Sequence, residues 1–79
     1  MIDLVIRFNP ARGFEDAALA LARRLFAQYD EEIDALTLIP VPDEDFSLHL
    51  NGTLLCSHSL SGRAPMVADV KAALRDEQG

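Results

Sequence analysis

The sequence predicts a two-layer α/β sandwich, with two helices on one face of a four-stranded mixed sheet. Three observations carry that reading. Residues 2–8 alternate apolar and polar, residues 14–29 repeat apolar positions at helical spacing, and Asn51-Gly52 sits between two short alternating runs.

Ile2, Leu4, Ile6 and Phe8 alternate with Asp3, Val5 and Arg7, the period of a strand with one strongly apolar face. Asn9-Pro10 reads as a helix start, because Asn is a favoured N-cap and Pro suits a first position that has no use for an N–H. Gly13 weakens a helix this early, so the regular part is expected from Phe14. From there Phe14, Ala17, Ala18, Leu21, Ala22, Leu25, Phe26 and Tyr29 form the apolar stripe, with Glu15, Asp16, Arg23 and Arg24 on the polar side. Asp30-Glu31-Glu32 belongs beyond the last turn, where acids escape the negative end of the helix dipole.

Ile33–Ile39 is a second strand, apolar on both faces. Pro40 and Pro42 bar it from continuing into residues 40–45, since each removes a ladder donor. Phe46, Leu48 and Leu50 alternate with Ser47 and His49 as a third strand. Asn51-Gly52 supplies the two positive-φ residues of a type I′ turn, and Thr53–Ser57 returns as the fourth strand. A two-residue turn pairs Leu50 with Thr53, Leu48 with Leu55, and Ser47 with Cys56, and paired residues share a face. Ser59–Arg63 reads as a loop. Pro65 then opens a last helix through Met66, Val67, Val70, Ala73 and Leu74. The crossover helix makes the first two strands parallel and, in its right-handed sense, lies on one face of the sheet, where the last helix joins it. This is the minimal thioredoxin-type β-α-β-β-β-α order.

The 79 residues make one domain, 1–79, near the lower size limit for a self-sufficient core. A net charge of -6, with seven scattered Lys and Arg, argues against a nucleic-acid partner. No run is apolar or long enough to span a bilayer, and no leader peptide is visible. One cysteine excludes an internal disulfide and fits a reducing cytoplasm.

The ordered set of motifs resembles the selenoprotein W family, the small thioredoxin-like proteins also grouped as the Rdx or SelT/SelW/SelH domain. The resemblance covers nearly the whole chain. Ile6-Arg7-Phe8 through Ala17-Ala18, Leu21-Ala22 and Leu25 follow the family's strand, redox loop and Ala/Leu-rich helix without a gap. Leu38-Ile39-Pro40 matches its strand-end proline, Phe46–Gly52 its hairpin, and Ser57 through Gly62-Arg63-Ala64-Pro65 its entry to the final helix. The resemblance implies a role in cell redox homeostasis, carried by a Cys-x-x-Cys or selenocysteine pair. That pair maps onto Asn9 and Arg12, and neither can form a thiolate, so dithiol exchange is unavailable there. The family's Gly-rich segment beside this loop is replaced by Val41-Pro42-Asp43-Glu44-Asp45.

Three sets of candidate residues follow. Asn9, Pro10, Ala11, Arg12 and Gly13 form a loop that either holds an anion at a helix start or is structural, with Arg12 paired to Asp43, Glu44 or Asp45. Cys56 is the only thiol, hence the only candidate for residual oxidoreductase or glutathione-linked chemistry; as a small hydrophobe on a strand it has a plainer reading. Val5, Leu54 and Cys56, on the face away from the helices, suggest a surface for a protein partner or a homodimer. His49, Cys56 and His58 share parity, but His49 and His58 fall roughly 13 Å apart at strand rise, too far for one metal. The carboxylates 30–34 and 43–45 lack the spacing of a calcium loop. The reading therefore calls for no metal and no cofactor. It favours a redox-inactive binding module over an enzyme.

Overall fold

The computed structural model describes residues 2–43 and 45–78. β1 (Ile2–Phe8) is followed by a 3-10 turn (Pro10–Arg12), α1 (Glu15–Tyr29), β2 (Ile33–Pro40), β3 (Phe46–Leu50), β4 (Thr53–Ser57), α2 (His58–Ser61) and α3 (Val67–Gln78). The sheet runs β2-β1-β3-β4. β1 pairs parallel with β2 and antiparallel with β3, and β3 pairs antiparallel with β4. This is the expected α/β sandwich with a mixed four-stranded sheet. α1 and α3 pack on the same face, since Leu21 and Leu25 of α1 and Val70 of α3 belong to one core with Leu4, Ile6, Leu48 and Phe46.

Alternation in β1 translates directly into burial: Ile2, Leu4, Ile6 and Phe8 are buried beneath the helices, while Asp3 and Arg7 are exposed on the far face. Asn51 (φ 49°) and Gly52 (φ 84°) adopt the positive-φ pair that the hairpin turn requires. The Asn51 carboxamide oxygen accepts from the Asp3 N–H at 2.9 Å, and the Asn51 N–H donates back to the Asp3 carbonyl at 2.9 Å. The turn is thereby tied to β1.

Two expectations need correction. The hairpin pairs Leu50 with Thr53 as expected and then slips: His49 faces Leu54, but Leu48 faces Cys56 and Ser47 faces Ser57. Leu55 is the extra residue of a β-bulge, and it tucks against the core. One added residue moves every later side chain to the opposite face, so Cys56 joins Leu48 on the helix side. The second correction is local. Residues 58–61, expected as loop, form a single helical turn closed by Gly62 at φ 77°, and α3 begins at Val67, two residues after Pro65.

Candidate functional site

The junction between β1 and α1 is built around Asn9, which is buried. Its side-chain oxygen accepts from the Ala11 N–H at 2.9 Å, capping the 3-10 turn. Its amide nitrogen donates to the carbonyls of Asp43 (2.7 Å) and Pro42 (3.3 Å). A single carboxamide thus fixes the turn and clamps the β2–β3 loop against it. Gly13, at φ 79°, ends the turn by donating its N–H to the Pro10 carbonyl at 3.2 Å. The left-handed conformation there is one that a side chain would strain. α1 then starts afresh at Glu15, so Asn9 caps the short turn and not the long helix.

Arg12 closes that turn with its N–H on the Asn9 carbonyl at 3.1 Å, and its side chain is exposed. Of the acids expected near it, Asp45 is committed elsewhere and Glu44 lies outside the described residues. The Asp45 carboxylate accepts from the Ser57 hydroxyl (2.8 and 3.1 Å), the Ser59 hydroxyl (3.2 Å), the Ser59 N–H (3.3 Å) and the Phe46 N–H (2.9 Å). Burial pushes this carboxyl up, but the hydrogen bonds outweigh it and hold Asp45 below the ordinary carboxylate value. Asp45 therefore caps α2 from the loop that leads into β3, where α2's own N-cap residue, Ser57, makes no capping bond to it.

The acidic loop also shares a groove with Arg7. On the helix-free face a groove of about 270 Å³ is lined by Arg7, Asp43, Asp45, His49, Leu54 and Leu60, among others. A second hollow of about 230 Å³, lined by Val5, Arg7, Ile39, His49 and Gly52, adjoins it through Arg7 and His49. Together they form one track across the bare sheet. Its floor has an anomaly: His49 Nδ1 is shut away from solvent without a hydrogen-bond partner, a standing cost to the free protein.

Val5 and Leu54 lie on this face as expected, with Leu54 43% exposed. Cys56 does not. The bulge places it under the loop into α3, where it is buried, with Sγ 3.6 Å from the Ser61 hydroxyl and 3.9 Å from the Arg63 carbonyl. The neighbouring Arg63 guanidinium is bound to Asp69 through two hydrogen bonds of 2.7 and 3.1 Å. Burial raises the Asp69 carboxyl, and the hydrogen bond from Arg63, the Met66 N–H and the Arg63 charge bring it below the usual value. The bulge also parts the histidines. His49 faces the groove, while the His58 ring packs against Phe14 at 5.2 Å on the core side. Among the described residues no three His, Cys, Asp or Glu side chains are placed to hold a metal ion. Among the described residues no helix is long and apolar enough to cross a membrane.

Solved structures share this architecture closely. The crystal structure of a selenoprotein W-related protein from Vibrio cholerae superposes with a TM-score of 0.84 at 21% identity, over 95% of this chain and 94% of that one. The chain has the fold of selenoprotein W-related proteins. A protein from Bordetella parapertussis matches at a TM-score of 0.83 and 21% identity, over 96% of each chain. No family model and no curated protein matches the sequence.

Sequence reasoning missed Arg7, Ser57, Ser59 and Leu60 as groove residues. Arg7 was legible as an outward position of β1. The others depend on the bulge and on the turn of helix that follows it.

Proposed function

We propose that this chain is a redox-inactive, cytoplasmic member of the selenoprotein W-like group, acting as a module that binds a protein or peptide segment along its helix-free sheet face. The observation that carries the reading is the state of the β1–α1 junction. Where the resemblance puts a redox pair, the protein has Asn9 and Arg12, and every polar group of the Asn9 side chain is engaged in holding the loop together. Exchange chemistry needs a sulfur nucleophile there. The one thiol in the chain is buried beneath a different loop.

Binding in place of catalysis is supported by the track across the bare sheet. It is long, open and mixed in character: the carboxylates of Asp43 and Asp45 toward one end, Arg7 and His49 where the two hollows meet, and exposed Leu54, Leu60 and Ile39 along it. An extended segment with alternating apolar and charged side chains suits such a surface better than a compact small molecule, which favours an enclosed pocket.

The test is a peptide-display selection against the folded protein, with amide NMR spectra recorded on the enriched peptide. Shifts centred on Arg7, Ile39, His49 and Leu54, lost in a Leu54→Asp variant, are expected. Binders that shift only residues 9–13, or a selection without enrichment, would overturn the reading.

A further inference from the structure

We propose that β2 is a homodimerisation edge, at which two copies of the chain join their sheets into one continuous eight-stranded sheet. The inference does not rest on the proposed function, because it uses the backbone edge of β2; Ile39 is the residue that the two surfaces share.

β2 is a terminal strand, paired with β1 on one side only. It is the least covered strand of the sheet: none of its eight residues is buried. Yet its sequence, Ile-Asp-Ala-Leu-Thr-Leu-Ile-Pro, is that of an interior strand, with Asp34 as its only charge. Proteins usually protect such an edge with lysine, a short strand or an inward charge. Pro40 is the one blunting residue here, and it stands at the end.

The helix layer points the same way. Leu19 and Phe26 are 45% and 46% exposed, and they lie about a quarter-turn around α1 from its buried stripe of Ala18, Leu21, Ala22 and Leu25. With the right-handed sense that β-α-β crossovers take, that flank faces the β2 border and not α3. An apolar strand edge and an apolar helix flank therefore form one surface, and a free peptide strand would cover only the lower part of it.

The occupant that covers both layers is a second copy, because the edge is complementary to itself. The Val41 N–H donates to the Phe8 carbonyl at 2.8 Å, with Phe8 opposite Pro40. In a parallel ladder Thr37 and Ile39 then give their backbone groups to β1, and Leu36 and Leu38 turn theirs outward. A two-fold axis through Thr37 sets Leu36 of each copy against the partner's Leu38, where they exchange four backbone hydrogen bonds. Ala35 meets the partner's Ile39 on the bare face. Asp34, the extra residue where the β1–β2 register shifts, lies beyond the regular part of this edge. Each chain carries a charge of -6, and β2 itself brings only Asp34 to the border; three residues from the axis, the two copies of Asp34 lie at opposite ends of the new ladder.

Thr37 gives a sharp test. It would lie opposite itself as a non-hydrogen-bonded pair, with Cα atoms about 4.5 Å apart, within reach of a disulfide. Sedimentation equilibrium of the full chain is expected to give twice the 8.7 kDa chain mass at high micromolar concentration. Thr37→Lys, exposed in the single chain, would return it to one chain mass with an unchanged circular dichroism spectrum. Thr37→Cys would give a disulfide-linked dimer under mild oxidation, with the link mapped to residue 37 and not to Cys56. A single-chain mass throughout the series would overturn the proposal. So would a doubled mass that Thr37→Lys leaves intact and that Thr37→Cys does not link. Leu54→Asp, which tests the sheet face, is expected to leave the mass unchanged, so the two proposals fail separately.

Discussion

β2 and β3 lie on either side of β1 and read almost alike as sequence, but the fold treats them as opposites. Four of the five residues of β3 are buried, including Ser47, and its start is held by the Asp45 network. No residue of β2 is buried, although its content of Ile and Leu is as high. Apolar composition alone does not decide burial; position in the strand order does. The β3 side is buried at the centre of the fold, whereas β2 lends the core only Ile33, Leu36 and Leu38 and leaves Ile39 exposed.

The largest expected effect probes that contrast directly. Leu48→Ala, at a fully buried centre of the core, should cost about 2–5 kcal/mol, while Leu38→Ala in half-buried β2 should cost about 1 kcal/mol. Urea unfolding of both variants at low concentration measures the gap, and equal losses would break the comparison. Next comes the clamp between the two sides. Asn9→Ala strands the Ala11 N–H and frees the Pro42 and Asp43 carbonyls, with an expected cost of about 1–3 kcal/mol. Faster amide exchange confined to residues 9–13 and 41–45 would accompany it.

A smaller effect is expected from pH. Asp45 and Asp69 both have folded pKa values below the carboxylate value of 3.8. Their contribution is therefore complete above that value and is lost as pH falls through the lower folded values. Acid unfolding should begin in the β3–α3 half, and Asp45→Asn should flatten the stability profile below pH 3.8. The smallest effect belongs to the bare face: Leu54→Ser should change stability by no more than about 0.5 kcal/mol. A larger loss would mean that Leu54 serves the fold after all.

Much of this architecture was legible in the sequence. Alternation in residues 2–8, the helical stripe of 14–29 and the Asn51-Gly52 turn each have a single physical solution, and together they set the element order, the parallel pairing of β1 with β2 and the β3–β4 hairpin. The break after the 3-10 turn was legible too, because Gly13 sits where a helix would be interrupted. The bulge at Leu55 was not. A turn sets register only at its own end, and the gain from burying Leu55 and Cys56 together depends on helices that pack from elsewhere in the chain. That one residue moved Cys56 from the bare face to the core side and parted His49 from His58. The capping role of Asp45 was hidden for the same reason, since it rests on Ser57 and Ser59 arriving opposite the start of β3.

This scaffold has the fold of selenoprotein W-related proteins, and we propose that it works without thiol chemistry. The most direct test of that proposal is the intact mass of the folded protein after incubation with oxidised glutathione, beside the same sample in urea. The account predicts no added mass on the folded chain and one glutathione on the unfolded chain, at its single cysteine. A glutathione adduct forming on the folded protein as fast as on the unfolded one would contradict it.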